Sequence, residues 1–317
     1  MTTASAAVWR PSPERSIGVS IAWALRDIKL AHTVFALPFA VLGAFLANSA
    51  ADESQTWVWP AFLGQLGLIV VCMFFARTWA MLVNRIADRR FDAANQRTAR
   101  RALASGQLDS VQAAVVACAA AAGFMIACCV FWLAFRNPWP ALLSIPALGW
   151  IAQYSFMKRF TWLSHVFLGG ALAASPIAAA IAVEPSSLTS TPALWLIAAM
   201  VLMWVAGFDA LYALQDLEFD REVGLHSMPA RFGWRGAVWI SRGLHALAVV
   251  ALVAAWRLEP RFGWLFGVAV LGTAALLVIE HVVIARRGLD GMPMAFFTVN
   301  GIVSCLLGAV GSVDVIV

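Results

Sequence analysis

Charged residues are scarce in this chain: they make up 12% of its 317 residues, whereas hydrophobic residues make up 62%. Soluble domains carry about twice that share of charge, because their surfaces must interact with water. The mean hydropathy of +0.81 agrees with this shortage. The composition therefore excludes a soluble domain and predicts a protein with several membrane-spanning segments.

Signatures of several other protein classes are missing as well. Residues 1–16 contain no long apolar run, so a secretory signal peptide is not expected, and an organellar transit peptide is the alternative for this stretch. The five cysteines lie in apolar runs without metal-ligand spacing and are expected to be packing residues. Since the sequence has no nucleophile elbow, dinucleotide fingerprint or Walker motif, the enzyme classes that depend on them are not indicated. No nucleic-acid partner is expected either.

Nine apolar runs are long enough, at about 20 residues, to cross a bilayer. Backbone groups in lipid must be hydrogen-bonded within the protein, and the runs show no strand-like alternation, so helices are predicted. The fold class is therefore an all-α membrane bundle of nine transmembrane helices. The predicted spans are 28–48, 62–83, 111–135, 139–156, 163–183, 193–214, 237–256, 262–284 and 293–315.

The distribution of basic residues predicts the orientation, because cytoplasmic loops carry an excess of Lys and Arg. Basic residues are concentrated before the first span and after the second, fourth, sixth and eighth spans. This places the N-terminus in the cytoplasm and the C-terminus outside. Loops 84–110 and 215–236 are the two long polar segments on the cytoplasmic side and are expected to form a cap. Without a low-complexity linker, residues 1–317 should form one membrane-embedded domain, with 1–20 as a flexible tail. The basic residues before the first span are Arg10, Arg15, Arg26 and Lys29.

A first polar cluster follows the second span. Asn84, Asp88 and Asp92 are spaced by four residues and would share one face of a helix. Arg77 falls on the same face inside the apolar run, where an ionised side chain indicates function. The alternative is a solvated helix end whose aspartates pair with neighbouring arginines, namely Arg85, Arg89 and Arg90.

A second cluster follows the sixth span, where Asp209, Tyr212, Asp216 and Asp220 would again share a helical face. Carboxylates one turn apart repel each other, and a bound cation removes this repulsion. Oxygen ligands without an accompanying His or Cys favour Mg²⁺ over zinc. The two clusters together therefore predict a magnesium site rather than surface decoration.

Basic residues that could bind a phosphate group lie nearby. Arg97 follows the first cluster, and Lys158, with Tyr154 one turn earlier, opens the loop after the fourth span. The alternative for these basic residues is a topology anchor at the membrane surface. His32, near the start of the first span, could face the site or bond to a neighbour. The other histidines are interpreted as structural residues: His165, His226, His245 and His281.

With these motifs in order, the sequence resembles the intramembrane aromatic prenyltransferases of the UbiA superfamily. Asn84, Asp88 and Asp92 are similar to the family's first aspartate-rich motif, and Asp216 and Asp220 to its second. One departure is Gln96, which stands where the family usually has proline. Further similar stretches are Asn95–Arg101, Tyr154–Thr161, Gly224–Gly233 and Phe296–Asn300.

The resemblance implies an enzyme of a bacterial inner membrane that takes part in quinone biosynthesis. Two Mg²⁺ ions held by the aspartate motifs would bind a polyprenyl diphosphate, with Arg77, Arg97 and Lys158 sharing its charge and the tail lying in an apolar channel open to the lipid bilayer. The acceptor would be an aromatic acid such as 4-hydroxybenzoate, and 1,4-dihydroxy-6-naphthoate or a haem- or chlorophyll-type acceptor are alternatives. A transporter is the alternative from another class, but its carboxylates should lie near mid-bilayer.

Overall fold

The computed structural model describes residues 35–48 and 59–317 of the chain. All the regular secondary structure in these two ranges is helical, which agrees with the predicted all-α class. The predicted tail 1–20, His32 and the basic residues before the first span lie outside the described residues.

The longer α-helices are numbered here in chain order. They are α1 (Leu37–Asn48), α2 (Trp59–Ala94), α3 (Ser110–Phe135), α4 (Trp139–Met157), α5 (Ser164–Val183), α6 (Ala193–Tyr212), α7 (Met228–Leu258), α8 (Trp264–Arg287) and α9 (Asn300–Ile316). Shorter elements lie between them: the α-helical turns Ser187–Ser190 and Leu217–Glu222, the 3₁₀ turns Ala213–Asp216 and Gly288–Gly291, and the π-helical turn Met294–Val299.

Seven helices of the described ranges are long and apolar enough to cross a membrane. These are α2, α3, α5, α6, α7, α8 and the helix that ends in α9. α1 is not among them. It has 12 described residues, fewer than the roughly 20 that cross a bilayer, and the first part of the predicted span 28–48 lies outside the described residues. α4 has 19 residues but contains Pro140, Pro146 and Gln153, which lower its hydropathy. The structure is thus a multi-pass membrane bundle, and the count of nine spans stays a prediction.

Helix α6 lies at the centre of the bundle, since 67% of its most apolar stretch is buried. It packs against α5 on one side and α7 on the other. The contact with α5 is a close approach of two backbones at Gly169, where an added methyl group would overlap the carbonyl oxygen of Leu202. Small residues allow this kind of packing between membrane helices. Because α6 is central, its polar C-terminal end, with Asp209 and Tyr212, lies among the ends of the surrounding helices.

The boundaries of the two predicted cap loops need correction. α2 continues to Ala94 instead of ending at 83, so the whole first cluster is helical. The chain after α6 tightens into the 3₁₀ turn Ala213–Asp216 before it returns to α-helix at Leu217–Glu222. A polar helix can continue beyond the hydrocarbon into water, and hydropathy alone does not show where it ends. The irregular segments are therefore shorter than 84–110 and 215–236.

Helix α7 begins earlier than the predicted span 237–256. The side chain of Ser227 caps it by accepting a hydrogen bond from the backbone N–H of Ala230 at 3.2 Å. The helix is interrupted at Gly233, whose φ of 70° is accessible to glycine without steric cost. The interruption turns the start of α7 away from the axis of the rest of the helix, next to the segment that bears the second acidic cluster.

Candidate active site

A cavity of about 290 Å³ lies at the end of the bundle where α2, α4 and α6 terminate and α5 begins. All eleven site residues predicted from the sequence line it. They are Arg77, Asn84, Asp88, Asp92, Arg97, Tyr154, Lys158, Asp209, Tyr212, Asp216 and Asp220. The two acidic clusters thus converge on one cavity, while their chemical roles remain predictions.

The first acidic cluster is buried and paired with basic residues from other segments. Asp88 is 2% exposed and Asp92 is 6% exposed. The Nζ atom of Lys158 lies 2.5 Å from Asp88 Oδ2, and Nη1 of Arg101 donates to both oxygens of Asp92 at 2.7 and 2.8 Å. Asn84 donates to Asp88 from the same helix at 3.2 Å. The alternative of a solvated helix end is wrong for these two aspartates.

The second acidic cluster is tied directly to the segment that follows α2. Arg97 makes a forked contact with Asp216, with Nε 3.0 Å from Oδ1 and Nη2 2.5 Å from Oδ2. The same guanidinium donates to the hydroxyl of Tyr212 at 3.1 Å. Asn95 adds a hydrogen bond to Asp216 Oδ1 at 2.8 Å. These contacts hold the ends of α2 and α6 together across the cavity.

The cations expected to bind a diphosphate are therefore already engaged with carboxylates. Lys158 holds Asp88 and Arg97 holds Asp216 in the structure. Charge-assisted contacts of this kind are among the stronger hydrogen bonds in proteins. A phosphate group that enters the cavity would have to compete with these carboxylates for the same N–H donors.

His165 also lines the cavity and should be added to the predicted site, although the sequence favoured a structural role for it. Its Nδ1 atom lies 2.6 Å from Asp209 Oδ2. Its Nε2 atom accepts a hydrogen bond from the backbone N–H of Met228 at 3.2 Å. Since Nε2 is an acceptor, Nδ1 carries the proton and donates it to Asp209. The imidazole thus links the carboxylate of Asp209 to the start of α7.

Arg77 lies seven residues before Asn84 on α2, about 10 Å farther from the helix end. Its Nε atom is buried and has no hydrogen-bond partner among the described residues. The side chain lines the cavity together with Tyr154 of α4. The position agrees with the predicted face of α2 and brings a positive charge to the part of the cavity farther from the end of α2.

The rest of the cavity is apolar and lies between α5, α6 and the π-helical turn. The ring of Phe296 packs on Tyr212 with the ring centroids 4.1 Å apart, and Phe208 contacts Phe296 at 5.3 Å. A hydrocarbon group placed here would lie directly beside the polar end of the cavity. The apolar lining residues include Phe35, Leu168, Leu172, Val205, Phe208 and Phe296.

The described residues do not contain three or more His, Cys, Asp or Glu side chains grouped closely enough to hold a metal alone. A Mg²⁺ ion, however, commonly uses one or two carboxylates together with substrate phosphate oxygens. Asp88 Oδ1 is a buried acceptor without a hydrogen bond among the described residues. The oxygen ligands lining the cavity therefore fit a Mg²⁺ ion that arrives with a phosphorylated substrate.

The balance of charge in the cavity supports the same conclusion. Five carboxylates line it, and five Arg and Lys side chains line it as well. The lining is therefore neutral overall when His165 carries a single proton. A diphosphate adds several negative charges to this cavity, and burying them without counter-ions is costly. Cations are therefore expected to enter together with the substrate.

Asn95 and Arg101 are two of the further polar residues that line the cavity outside the predicted set. Both belong to the stretch Asn95–Arg101, which carried part of the family resemblance, so the resemblance could have indicated them as site residues. Their contacts with Asp216 and Asp92 depend on how the turns after α2 fold back. That folding could not be inferred from spacing along a helix.

Comparison with known proteins gives matches along most of the chain. Residues 36–302 match the UbiA prenyltransferase family. A 4-hydroxybenzoate octaprenyltransferase from Citrobacter koseri is 32% identical over 249 residues, which cover 77% of this chain and 82% of that protein. A protein of the same name from Salmonella newport is 32% identical over 251 residues, with the same coverage.

Two solved structures have a similar fold. The apo structure of a UbiA homolog from Aeropyrum pernix has a TM-score of 0.77 at 30% identity, covering 90% of this chain and 98% of that one. A UbiA homolog from Archaeoglobus fulgidus, solved with GPP and Mg²⁺, has a TM-score of 0.69 at 21% identity, covering 93% and 100%. At that identity the second structure supports the fold alone.

Proposed function

The chain belongs to the UbiA prenyltransferase family, and we propose that it transfers a polyprenyl chain from polyprenyl diphosphate to an aromatic acid within the membrane. The observation that carries this proposal is the cavity itself. Two acidic helix ends and five basic side chains surround its polar part, and apolar side chains of α5 and α6 line the remainder. A diphosphate joined to an isoprenoid chain has the same division into a charged and an apolar part.

The residues that would hold Mg²⁺ are Asn84, Asp88, Asp92, Asp216 and Asp220. All are oxygen ligands, and they face the cavity from both acidic helix ends. Bound there, Mg²⁺ would supply a Lewis acid that stabilises the negative charge of the departing diphosphate. The protein's contribution is to place these oxygens on two helix ends that Arg97 and Asn95 hold together.

The basic residues would exchange partners when the substrate binds. In the structure Arg97 and Lys158 neutralise Asp216 and Asp88. If these carboxylates held a metal ion instead, the N–H groups of Arg97 and Lys158 would become available for phosphate oxygens. Arg77 would neutralise charge from the apolar side of the cavity. The enzyme would thus avoid leaving a buried carboxylate without a partner in either state.

In the reaction, the allylic C–O bond breaks and its electron pair leaves with the diphosphate. A ring carbon ortho to the phenol oxygen of the acceptor forms the new C–C bond, and the ring then loses a proton from that carbon. The cationic prenyl carbon would react with water if water were present. The apolar lining around Phe208 and Phe296 would keep water away from it.

We further propose that the two remaining predicted spans complete a nine-helix arrangement. α1 would be the described part of the predicted span 28–48, and α4 would cross as a less apolar helix packed against α2, α3 and α5. The positive-inside pattern would place the cavity at the cytoplasmic side of a bacterial inner membrane. Residues 1–317 would then form one domain that ends outside.

The acceptor is proposed to be 4-hydroxybenzoate, which is the substrate named for the relatives at 32% identity. The experiment that tests the proposal incubates purified protein with Mg²⁺, a polyprenyl diphosphate and single acceptors. These are 4-hydroxybenzoate, 1,4-dihydroxy-6-naphthoate and benzoate as a control without the phenol. Mass spectrometry should detect a prenylated product with 4-hydroxybenzoate and none with benzoate. Product with the naphthoate alone would reassign the acceptor, and no product with any acceptor would contradict the proposal.

A further inference from the structure

A second cavity of about 570 Å³ lies between α7 and α8, separate from the candidate active site. Its walls are formed by small and aliphatic side chains such as Ala246, Val249, Leu277 and Val278. Val278 is 62% exposed, so this groove faces outward from the bundle. In a membrane protein such a surface contacts lipid. The lipid-facing groove nevertheless contains three polar residues: Arg242, His245 and His281.

The two histidines form a chain of hydrogen bonds whose direction can be assigned. His245 is 3% exposed, and its Nε2 atom lies 3.3 Å from the carbonyl oxygen of Trp204. A carbonyl can only accept, so Nε2 carries the proton. Glu280 Oε2, at 3.8 Å from Nδ1, is beyond hydrogen-bond distance, and in the neutral imidazole Nδ1 is then an acceptor. His281 Nε2, 3.1 Å from His245 Nδ1, must then be the donor. The remaining nitrogen, His281 Nδ1, is therefore an acceptor.

The outer nitrogen of this chain is left without a partner. His281 Nδ1 is buried and has no hydrogen bond among the described residues. A buried polar atom in this state is uncommon and costs free energy. A ligand in the groove with a hydroxyl donor would satisfy it.

Arg242 provides the second polar contact in the groove. Its guanidinium lies over the ring of Trp239 at 4.7 Å, and no carboxylate of the described residues forms an ion pair with it. It lies five residues, roughly 7 Å, inside the predicted span 237–256. A cation at that depth normally pairs with another group or reaches the interface. An anionic group in the groove would supply such a partner.

We propose that the α7–α8 groove binds an anionic phospholipid whose headgroup carries a hydroxyl. The phosphate would contact Arg242, the hydroxyl would donate to His281 Nδ1, and an acyl chain would lie along the aliphatic walls. Basic pockets between membrane helices bind anionic lipid headgroups in this way. Arg242 and His281 lie toward the end of the bundle that also holds the active-site cavity, which is the predicted cytoplasmic side. None of the groove residues lines that cavity.

Native mass spectrometry of the purified full chain tests the proposal. The protein is incubated with equal amounts of phosphatidylglycerol and phosphatidylcholine that have the same acyl chains. The wild type should retain phosphatidylglycerol preferentially, and Arg242→Gln should reduce that preference roughly fivefold, as expected for the loss of one basic contact. Arg257→Gln is the matched control, since Arg257 lies at the other end of α7 and also stacks on a tryptophan, Trp256. This variant should bind like the wild type.

Two further variants keep the test decisive. Ala246→Trp fills the groove without changing its charge and should lower phosphatidylglycerol retention, whereas Arg242→Lys should keep most of it. Prenyl transfer in detergent should be unchanged in both. Equal retention of the two lipids by the wild type, or equal losses in Arg242→Gln and Arg257→Gln, would overturn the proposal. Displacement of the lipid by equimolar 4-hydroxybenzoate would also overturn it, because the occupant would then be an aromatic acid.

Discussion

The pair Lys158–Asp88 allows a prediction that separates stability from activity. The two groups are 2.5 Å apart, and the side chain of Asp88 is 3% exposed while that of Lys158 is 30% exposed. Removing one partner of a fully buried pair costs about 3–5 kcal/mol. Because Lys158 is partly solvated and Arg159 remains 3.9 Å from Asp88, we expect Lys158→Gln to cost about 2 kcal/mol.

The cost arises from a buried carboxylate that has lost its main cation, so neutralising that carboxylate should recover part of it. The double variant Asp88→Asn/Lys158→Gln should therefore be more stable than Lys158→Gln alone, by about 1 kcal/mol. It should nevertheless remain inactive, because both proposed roles are lost. Stability would rise while activity does not return.

Thermal unfolding in detergent, followed by the far-ultraviolet circular dichroism of the helices, measures the order of stability. The control is Arg90→Gln, since Arg90 is an exposed residue of α2 that does not line the cavity. It should match the wild type in both measurements. If the double variant is less stable than Lys158→Gln by the full cost of Asp88→Asn, the two residues are not coupled and the reasoning is refuted.

Three other predictions address the metal, the diphosphate and the packing of the bundle. EDTA should abolish prenyl transfer and added Mg²⁺ should restore it, because the cavity lining is neutral before the diphosphate enters; full turnover in EDTA would contradict this. Arg97→Lys should raise KM for the diphosphate by roughly tenfold, since a lysine cannot make the forked contact with phosphate oxygens that a guanidinium makes once it leaves Asp216; an unchanged KM would make Arg97 a topology anchor. Gly169→Ala should cost about 1–3 kcal/mol through overlap with the carbonyl of Leu202. Gly67→Ala is its control, because nothing lies within 4 Å of the added methyl group, and equal unfolding temperatures of the two variants would contradict the packing argument.

The sequence allowed the central features of the site to be predicted. Asn84, Asp88 and Asp92 recur every four residues at the end of an apolar run, so their common face followed from helix geometry. The same argument placed Arg77 on that face. Both acidic clusters followed even-numbered spans, which put them at one end of the bundle. Helical spacing and the alternation of spans were therefore enough to predict that these residues lie at one end of the bundle.

The pairing of charges could not be predicted in this way. Lys158 and Asp88 are 70 residues apart and Arg97 and Asp216 are 119 residues apart, so each contact depends on how the helices pack. His165 was missed for the same reason, since its partner Asp209 lies on a different helix. The end of α2 was missed because hydropathy detects where a helix leaves the membrane and not where it stops.

The central claim is that the two acidic helix ends act together on one diphosphate, and single-turnover release of diphosphate measures this most directly. The assay uses purified protein, Mg²⁺, a labelled polyprenyl diphosphate and 4-hydroxybenzoate, with Asp92→Asn and Asp220→Asn as variants from the two helix ends. Arg90→Gln again serves as the control. We predict that either aspartate variant lowers the single-turnover rate of diphosphate release by at least roughly a hundredfold, the scale on which charge-stabilising groups act in transition states, while the control releases diphosphate like the wild type. Release at the wild-type rate by either aspartate variant would contradict the claim.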